Sequence, residues 1–419
     1  MTVTQTQLCR RCMTTKVDPI PQAVVVSRKE PFCKTCFVRF LRGKQRRQLA
    51  DYKVSYEPRK SIPLPAAKIM LALSLGHSSL ALLEMLTAQI IEQKEMHRGH
   101  SGIDLVAVYV DEWESQTTVE VAPAEEILNR LRIRYTNICR FERVPVSKFL
   151  SPGEFQLFHH DDIDIADYSA TDLDQSATEF TTISNLLSGV RDRSARSDIL
   201  ATIRKRLIRQ AAKENGCSAI LWGDTVTRLA ELSLSLTSKG RGTEIPTLLS
   251  ETREQAIDGI SNIYPLREVL RPECVNYVSL LDVSDYVLAR TEPSPVVLRM
   301  MTIDDLIARY IEDVEVDFPG ISSTVVRTAS KLSSPFSSTN TFDRCMICGS
   351  LCLNSEYPET WLQKITVNQP FDNTLDSTIA AIEPKKTKLC YGCLVATKGS
   401  TFAWPRRSTT KEVLDQFEI

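Results

Sequence analysis

The 419-residue sequence has no long apolar run and almost no net charge. No stretch approaches the roughly 18 consecutive apolar residues that a membrane-spanning helix needs, and the first residues contain no apolar secretory leader. We therefore expect a protein of the cytosol or nucleus without a membrane partner. The 51 basic and 52 acidic side chains give a formal charge of −1, which argues against a globally basic nucleic-acid coat but permits local basic patches.

Twelve cysteines are about what chance supplies in so long a chain, so their spacing carries the information. Eight of them form four C-x-x-C pairs: Cys9 and Cys12, Cys33 and Cys36, Cys345 and Cys348, Cys390 and Cys393. Two such pairs supply the four thiolates of a closed tetrahedral zinc site, which stabilises a fold and leaves no open position for catalysis. We predict two structural zinc sites.

Other interpretations of these cysteines stay open. Disulfides are uncommon in a reducing compartment, whereas a cubane iron–sulfur cluster also takes four thiolates. Cys352 lies close enough in sequence to replace a ligand of the second site. The remaining cysteines, Cys139, Cys217 and Cys274, lie in or beside apolar segments, which is typical of buried, unreactive thiols.

Composition divides the chain into three regions. Residues 1–60 hold the first four ligand cysteines and a basic tail, residues 61–330 form an α/β domain, and residues 331–419 hold the second four cysteines. In the middle region apolar strands near 68–74, 103–111, 140–146 and 218–224 alternate with amphipathic helices, and a further short strand and helix fall within 264–283. This alternation predicts a mainly parallel sheet covered on both faces. Residues 149–190 contain eight acids and no Lys or Arg, which favours an acidic insert or loop.

The turn after the first predicted strand of this domain reads SLGHSS over residues 74–79. It resembles the S-G-G-x-D-S loop of the ATP pyrophosphatases, whose glycines and helix N-terminus hold pyrophosphate. Ser74, Gly76 and Ser79 match this loop, but Leu75 replaces a glycine and Ser78 replaces the aspartate.

Two further stretches resemble the same group of enzymes and also lack reactive residues. The stretch WGDTVTRLAE (222–231) resembles G-H-x-x-D-D-x-A-E, with Gly223 matching but Thr227 and Arg228 at the acidic positions. Asn185 and Ser188 stand where the C-x-x-C-G-x-x-R-R segment of tRNA thiolases has cysteines. Neither an amide nor a hydroxyl performs thiolate chemistry.

With the terminal cysteine pairs, YPLRE at 264–268 and DFPG at 317–320, the whole chain resembles the cytoplasmic tRNA 2-thiolation protein 2 family. This resemblance implies a Rossmann-like PP-loop ATPase fold, of the adenine nucleotide alpha hydrolase-like type, between N- and C-terminal zinc-binding modules. It also implies a cytoplasmic, non-catalytic subunit that forms a heterodimer with a catalytic tRNA thiolase subunit. The sulfur would come from a thiocarboxylated ubiquitin-like carrier, and the substrate would be the wobble uridine (U34) of cytosolic tRNAs for lysine, glutamate and glutamine. The degenerate loop weakens the expectation of ATP binding, and no catalytic residue is assigned.

Basic residues in two segments are candidates for contact with tRNA phosphates. They are Arg39, Arg42, Lys44, Arg46, Arg47, Arg204, Lys205 and Arg206. Two alternative functions remain: an active ATP-dependent tRNA-modifying ligase with an atypical loop, in which Ser74, Gly76 and Ser79 still bind an anion, and a zinc-ribbon adaptor that binds only proteins.

Overall fold

The computed structural model describes most of the sequence in several stretches. These are residues 7–16, 18–57, 62–112, 122–150, 155–159, 171–173, 183–190, 192–249, 259–288, 301–332, 343–352, 389–397 and 401–405. Within them, no helix combines the length and apolar character needed to cross a membrane.

The strands are β1 (Val25–Ser27), β2 (Glu30–Phe32), β3 (Ala67–Ala72), β4 (Ile103–Asp111), β5 (Cys139–Pro145), β6 (Phe155–His159), β7 (Thr171–Leu173), β8 (Ala219–Trp222), β9 (Ser261–Ile263), β10 (Asp343–Arg344), β11 (Leu351–Cys352) and β12 (Thr401–Pro405). The helices are α1 (Arg10–Thr14), α2 (Lys34–Gln48), α3 (His77–Met96), α4 (Ala122–Arg134), α5 (Ile183–Ser188), α6 (Arg193–Glu214), α7 (Val226–Ser238), α8 (Ile245–Leu249), α9 (Arg271–Leu280), α10 (Ile303–Asp317), α11 (Ile321–Ala329) and α12 (Tyr391–Thr397).

A five-stranded parallel sheet forms the centre, in the order β5-β4-β3-β8-β9. This confirms the parallel sheet predicted from alternating strands and helices. The edge strand β9 ends at Ile263, just before the stretch in which the sequence placed it. The difference has a physical reason: Pro265 is the second residue after the strand, and a proline cannot donate to a strand ladder.

The two faces of the sheet carry different layers, because successive side chains of a strand point to opposite sides. Ile69 and Leu71 of β3 pack in one core with apolar residues of α3, α4 and α9. Met70 and Ala72 pack in a second core with α6. We call these the α3 face and the α6 face.

Each cysteine-rich region packs on a different face. Phe37 and Leu41 of α2 are fully buried in the core of the α3 face, whereas Ile347 and Trp404 are buried in the core of the α6 face. The two regions therefore lie on opposite sides of the sheet. The division at residues 60 and 330 remains a prediction.

The acidic segment contains more regular structure than its composition predicts. β6 pairs antiparallel with both β7 and β12, and Ile183, Leu186 and Val190 are buried in the core of the α6 face. The composition of the segment does not predict this structure, because β6 pairs with β12, which lies more than 200 residues further along the chain.

Candidate metal centres and nucleotide loop

The N-terminal cluster consists of four thiols at the starts of two helices. Cys9 and Cys33 are the N-cap residues of α1 and α2, and Cys12 and Cys36 lie within those helices. The Cys12 Sγ lies 3.8 Å from the Cys33 Sγ and 3.5 Å from the Cys36 Sγ. The positive ends of two helix dipoles therefore face a group that is anionic when it binds a metal ion.

The C-terminal cluster brings together Cys345, Cys348, Cys390 and Cys393. The Sγ atoms of Cys348 and Cys390 lie 3.5 Å apart, and Cys345 and Cys393 are buried. The first knuckle is closed by a hydrogen bond of 2.9 Å from the Gly349 amide to the Cys345 carbonyl. Gly349 adopts φ of +77°, which favours glycine.

The sulfur atoms of both clusters are spaced as expected around one tetrahedrally coordinated metal ion. In each, all four ligand atoms lie within 4.8 Å of one another. Tetrahedral zinc with bonds of about 2.3 Å places thiolates about 3.8 Å apart, whereas thiolates on the separate irons of a cubane stand about 6 Å apart. The eight cysteines that the sequence selected can thus hold two metal ions. The side chain of Cys352 lies outside the described residues.

The other described cysteines belong to neither cluster. Burial raises the pKa of Cys139 and of Cys274 to about 12, and burial also raises the pKa of Cys217. Thiols with raised pKa values are poor nucleophiles at neutral pH. These three cysteines therefore suit packing.

The loop between β3 and α3 is hydrogen-bonded within itself. The Ser79 hydroxyl donates to the Gly76 carbonyl over 3.0 Å, and it lies 3.3 Å from the Ser74 amide and 3.2 Å from the Ser74 hydroxyl. Leu75 occupies the left-handed region at φ of +55°, where glycine is favoured, and its side chain is fully buried. The hydroxyls of Ser74 and Ser79 and the amide of Ser74 therefore have partners inside the loop.

The turn after β8 packs closely against this loop. A Cβ atom on Gly223 would lie 3.0 Å from the Ser79 Cα, so glycine permits the approach. Burial raises the pKa of the adjacent Asp224 carboxyl, and Arg228 opposes that shift. The structure thus brings together the predicted loop residues Ser74, Gly76, Ser79 and Gly223.

The positions that are acidic in the ATP pyrophosphatases have different partners here. The Thr227 hydroxyl donates to Glu315 of α10 over 3.1 Å. Arg228 pairs with the buried Glu231 at 3.0 Å, and Arg271 pairs with the same carboxylate at 2.5 Å. Thr227 thus joins α7 to α10, and Glu231 joins α7 to α9 through Arg271. Neither Thr227 nor Arg228 carries a carboxylate that could bind a metal–nucleotide complex.

Asn185 and Ser188 lie on the short helix α5. The Ser188 hydroxyl donates to the Asn185 carbonyl over 2.7 Å. These positions, which hold cysteines in the thiolase pattern, therefore carry a local helical hydrogen bond.

Three of the predicted cationic residues on α2 lie at the surface. Arg39 and Arg47 are exposed, and Arg46 is partly exposed. Arg46 pairs with Glu92, and Arg47 pairs with Glu268 at 2.9 Å. Surface pairs of this kind are weak, so these guanidinium groups can exchange partners.

Two other cations of α2 are engaged inside the fold. Arg42 donates to the Tyr277 hydroxyl over 3.1 Å. Lys44 is buried; its ammonium donates to the Glu268 carbonyl over 3.0 Å and lies 3.7 Å from Glu273. Sequence reasoning missed this joint between α2 and α9, because no spacing rule links residues more than 200 positions apart.

The three candidate cations of α6 also differ in how far their side chains are exposed to solvent. Arg204 and Lys205 are exposed, and Arg204 pairs with Glu112. The Arg206 guanidinium lies 5.0 Å above the ring of Trp404 and donates to the carbonyl of Met346. Because α2 and α6 lie on opposite faces of the sheet, the two basic segments form separate surfaces.

The parallel sheet, the loop at the β3–α3 turn and the two terminal four-cysteine clusters define an α/β protein of the PP-loop ATPase-like class. The family model described as "Cytoplasmic tRNA 2-thiolation protein 2" matches residues 302–395. A protein of that name from Yarrowia lipolytica is 33% identical over 98% of this chain and 99% of its own length. The chain therefore belongs to the cytoplasmic tRNA 2-thiolation protein 2 family.

Other comparisons agree with this assignment. The protein of the same name from Saccharomyces cerevisiae S288c is 27% identical over 98% of each chain. Among solved structures, the U34-tRNA thiolase NcsA from Methanococcus maripaludis, with its [4Fe-4S] cluster, aligns with a TM-score of 0.52. That alignment covers 83% of this chain and 93% of the thiolase at 15% identity, and it supports the fold alone.

Proposed function

We propose that this chain is the non-catalytic subunit of a cytoplasmic heterodimer that thiolates the wobble uridine of tRNAs for lysine, glutamate and glutamine. Membership of the 2-thiolation family supports the reaction, and the resemblance supports a catalytic thiolase partner and a thiocarboxylated ubiquitin-like sulfur carrier. In this proposal the chain stabilises the partner and helps to bind tRNA.

The internal bonding of the serine hydroxyls in the β3–α3 loop is the observation that carries the non-catalytic role. Pyrophosphate binding needs free backbone amides and hydroxyls at the start of a helix. Here the Ser79 hydroxyl bonds within the loop, and the Leu75 carbonyl accepts the Leu288 amide over 2.9 Å. The buried Leu75 side chain holds this arrangement, so a phosphate that used the Ser74 and Ser79 hydroxyls would have to break the bonds between them.

We propose zinc as the ion of both cysteine clusters, because the sulfur separations fit one tetrahedral ion. When bound, zinc supplies four metal–thiolate bonds and no open coordination position. The cysteines of each cluster hold two chain segments together, so metal binding contributes to folding.

Exposed cations on the two faces are the proposed tRNA contacts. Arg39 and Arg47 lie on α2, and Arg204 and Lys205 lie on α6. Each can approach a phosphate without leaving a buried partner unpaired, unlike Lys44. Phosphate neutralisation by such residues makes affinity depend strongly on salt concentration.

Activity measurements on separate and combined subunits test the proposal. The chain, the thiolase partner and their complex are assayed for ATP–pyrophosphate exchange and for uridine thiolation. We expect no activity from the chain alone and more activity from the complex than from the partner alone. Robust activity of the isolated chain would contradict the proposal and favour the ligase alternative, whereas absent tRNA binding by the complex would favour the adaptor.

A substitution in the β3–α3 loop distinguishes the non-catalytic subunit from the ATP-dependent ligase. Gly76→Ala is the matched control, because a Cβ there would lie 3.5 Å from the Ser74 Oγ, which is an ordinary contact. Gly76→Val adds bulk where phosphate would approach. We expect both variants to support full activity of the complex, and selective loss with valine would assign ATP binding to this loop.

A further inference from the structure

Arg241 lies three residues after the end of α7, and backbone hydrogen bonds hold it in place. Its amide donates to the Leu236 carbonyl over 2.7 Å, and its carbonyl accepts from the Glu244 amide over 2.9 Å. Its side chain is only 9% exposed. The backbone bonds therefore fix the direction in which this long side chain leaves the helix end.

The Arg241 side chain fills the space beside the C-terminal cysteine cluster. Its Nη2 atom lies 3.9 Å from the Sγ of Cys393. A Cβ atom on Gly392 would lie 2.3 Å from the Cγ and Nε atoms of Arg241, so position 392 accepts only glycine while Arg241 keeps this place. Nε is buried and has no hydrogen-bond partner among the described residues.

A metal-bound four-thiolate group carries net negative charge, and burying uncompensated charge is costly. At the N-terminal cluster, Cys9 and Cys33 cap helices, whose dipoles supply positive potential. The nearby Arg11 is directed elsewhere, over the rings of Phe32 and Phe40 at 5.1 and 4.7 Å. The C-terminal cluster likewise has a helix start, since α12 begins directly after Cys390, and here the guanidinium of Arg241 additionally touches a ligand sulfur.

We propose that Arg241 is a positioning residue of the C-terminal metal centre, which orients Cys393 and compensates the charge of the four thiolates. This inference rests on the metal occupancy proposed above. Asp198 of α6 supports the arrangement, since it lies 3.8 Å from Arg241 and also pairs with Lys239 at 2.7 Å. Metal retention at this centre then depends on Arg241, and retention at the N-terminal centre does not.

Site-resolved cysteine alkylation of the full chain tests the proposal. The zinc-loaded protein is exposed to a chelator and a thiol reagent, and the labelled peptides are followed by mass spectrometry. For Arg241→Gln we expect Cys390 and Cys393 to react about tenfold faster or more, the usual size of an outer-shell effect on a metal site. Cys33 and Cys36 should react at the wild-type rate, and Arg241→Lys should restore part of the protection.

Two further measurements distinguish positioning from simple packing. In the cobalt-substituted protein, Arg241→Gln should shift the thiolate-to-cobalt absorption of the C-terminal site. The reason is that the positive guanidinium no longer lies beside the Sγ of Cys393. Gly392→Ala should release metal in the wild-type background but much less in Arg241→Ala, where the conflicting side-chain atoms are gone. Unchanged alkylation and absorption, or equal acceleration at both clusters, would overturn the proposal. Wild-type protein with metal only at the N-terminal cluster would overturn both this inference and the second zinc site.

Discussion

Replacing Glu273 by glutamine removes a buried negative charge at the joint between α2 and α9. The Glu273 side chain is 3% exposed; it accepts bonds from Arg28 Nε at 2.9 Å and lies 3.7 Å from the Lys44 ammonium. It also accepts from the Ser27 hydroxyl at 2.7 Å and the Leu270 amide at 2.8 Å. The Ser27 and Leu270 donors bond to different carboxylate oxygens. The single acceptor oxygen of glutamine can keep the Leu270 amide, and its NH2 group can donate to the Ser27 hydroxyl, which then turns to accept. The substitution therefore removes the charge and the acceptor of Arg28 Nε.

The expected destabilisation has two parts. A hydrogen bond to a charged group is worth about 1.5–3 kcal/mol, and the lower end applies to Arg28, whose side chain is 37% exposed. Burial lowers the pKa of Lys44 from 10.5 to about 8, although Glu273 opposes that shift. Without Glu273 this pKa falls further, and the Lys44 ammonium can avoid the unpaired buried charge by losing its proton. At pH 7, one unit below the wild-type pKa of about 8, losing the proton costs about 1.4 kcal/mol. This value is the most that Lys44 adds to the destabilisation at pH 7. The total is about 3 kcal/mol.

The contribution of Lys44 to the stability difference between wild type and Glu273→Gln must disappear in alkaline solution. Because the folded pKa of Lys44 lies below its unfolded value, the wild-type penalty is complete below about pH 8 and declines as the pH rises from 8 to 10.5. At pH 9 the lysine is mostly neutral in both folded proteins, so the difference between them falls to about 1.5 kcal/mol. The pKa of Glu273 is lowered despite its burial, chiefly by Lys44, so its own contribution is lost only in acid, outside this range.

Urea unfolding of wild type and Glu273→Gln at pH 7 and pH 9, followed by tryptophan fluorescence, measures this difference. The matched control is Glu268→Gln, which removes a surface pair with Arg47 at 2.9 Å and should cost less than about 1 kcal/mol. A gap of 3 kcal/mol that stays constant with pH, or equal effects of the two substitutions, would refute the assigned role of Lys44.

Three other substitutions test the metal centres and the basic surface. Cys12→Ser should lower metal content by one ion per chain, measured by elemental analysis, because one of four thiolates is lost. Trp404→Ala should cost about 3–5 kcal/mol, since Trp404 is fully buried and its indole donates to the Met346 carbonyl over 3.1 Å beside the C-terminal cysteines. Arg47→Glu should weaken tRNA binding by the complex and reduce its salt dependence by about one phosphate contact, measured by titration at several salt concentrations.

Each of these tests has a matched comparison. Cys139→Ser should leave metal content unchanged, and a decrease would argue against the assigned ligands. Trp404→Phe should retain most of the stability, because the ring still packs against Phe149. Arg309→Glu reverses an exposed arginine on the acidic helix α10, and an effect on tRNA equal to that of Arg47→Glu would indicate general charge repulsion.

Local sequence patterns predict those parts of the molecule that depend on nearby residues. The apolar run at 68–74 becomes β3, and the C-x-x-C spacing brings both sulfurs of each knuckle to one point. The patterns do not show which face of the sheet each cysteine cluster covers. That placement depends on contacts such as Phe37 against the core of the α3 face and Trp404 against that of the α6 face.

Residues that act through distant partners were missed for the same reason. Arg241 lies 152 positions before Cys393, and Glu273 lies 246 positions after Ser27. One local signal was available: the glycine of C-Y-G-C indicates a close approach by another group. Sequence alone did not identify that group as an arginine side chain.

The β3–α3 loop and the start of α7 are consistent with the proposed loss of catalysis in a stable fold. Removing reactive groups at random would leave buried polar atoms without partners, and such atoms are rare in folded proteins. Here Leu75 fills a core, Thr227 bonds to Glu315, and Arg228 pairs with Glu231. Each replacement therefore contributes packing or an internal bond where an ATP pyrophosphatase would keep a group available to its substrate. Restoring a single acid, as in Arg228→Asp, should accordingly destabilise the α7–α9 contact through Glu231 without creating nucleotide binding.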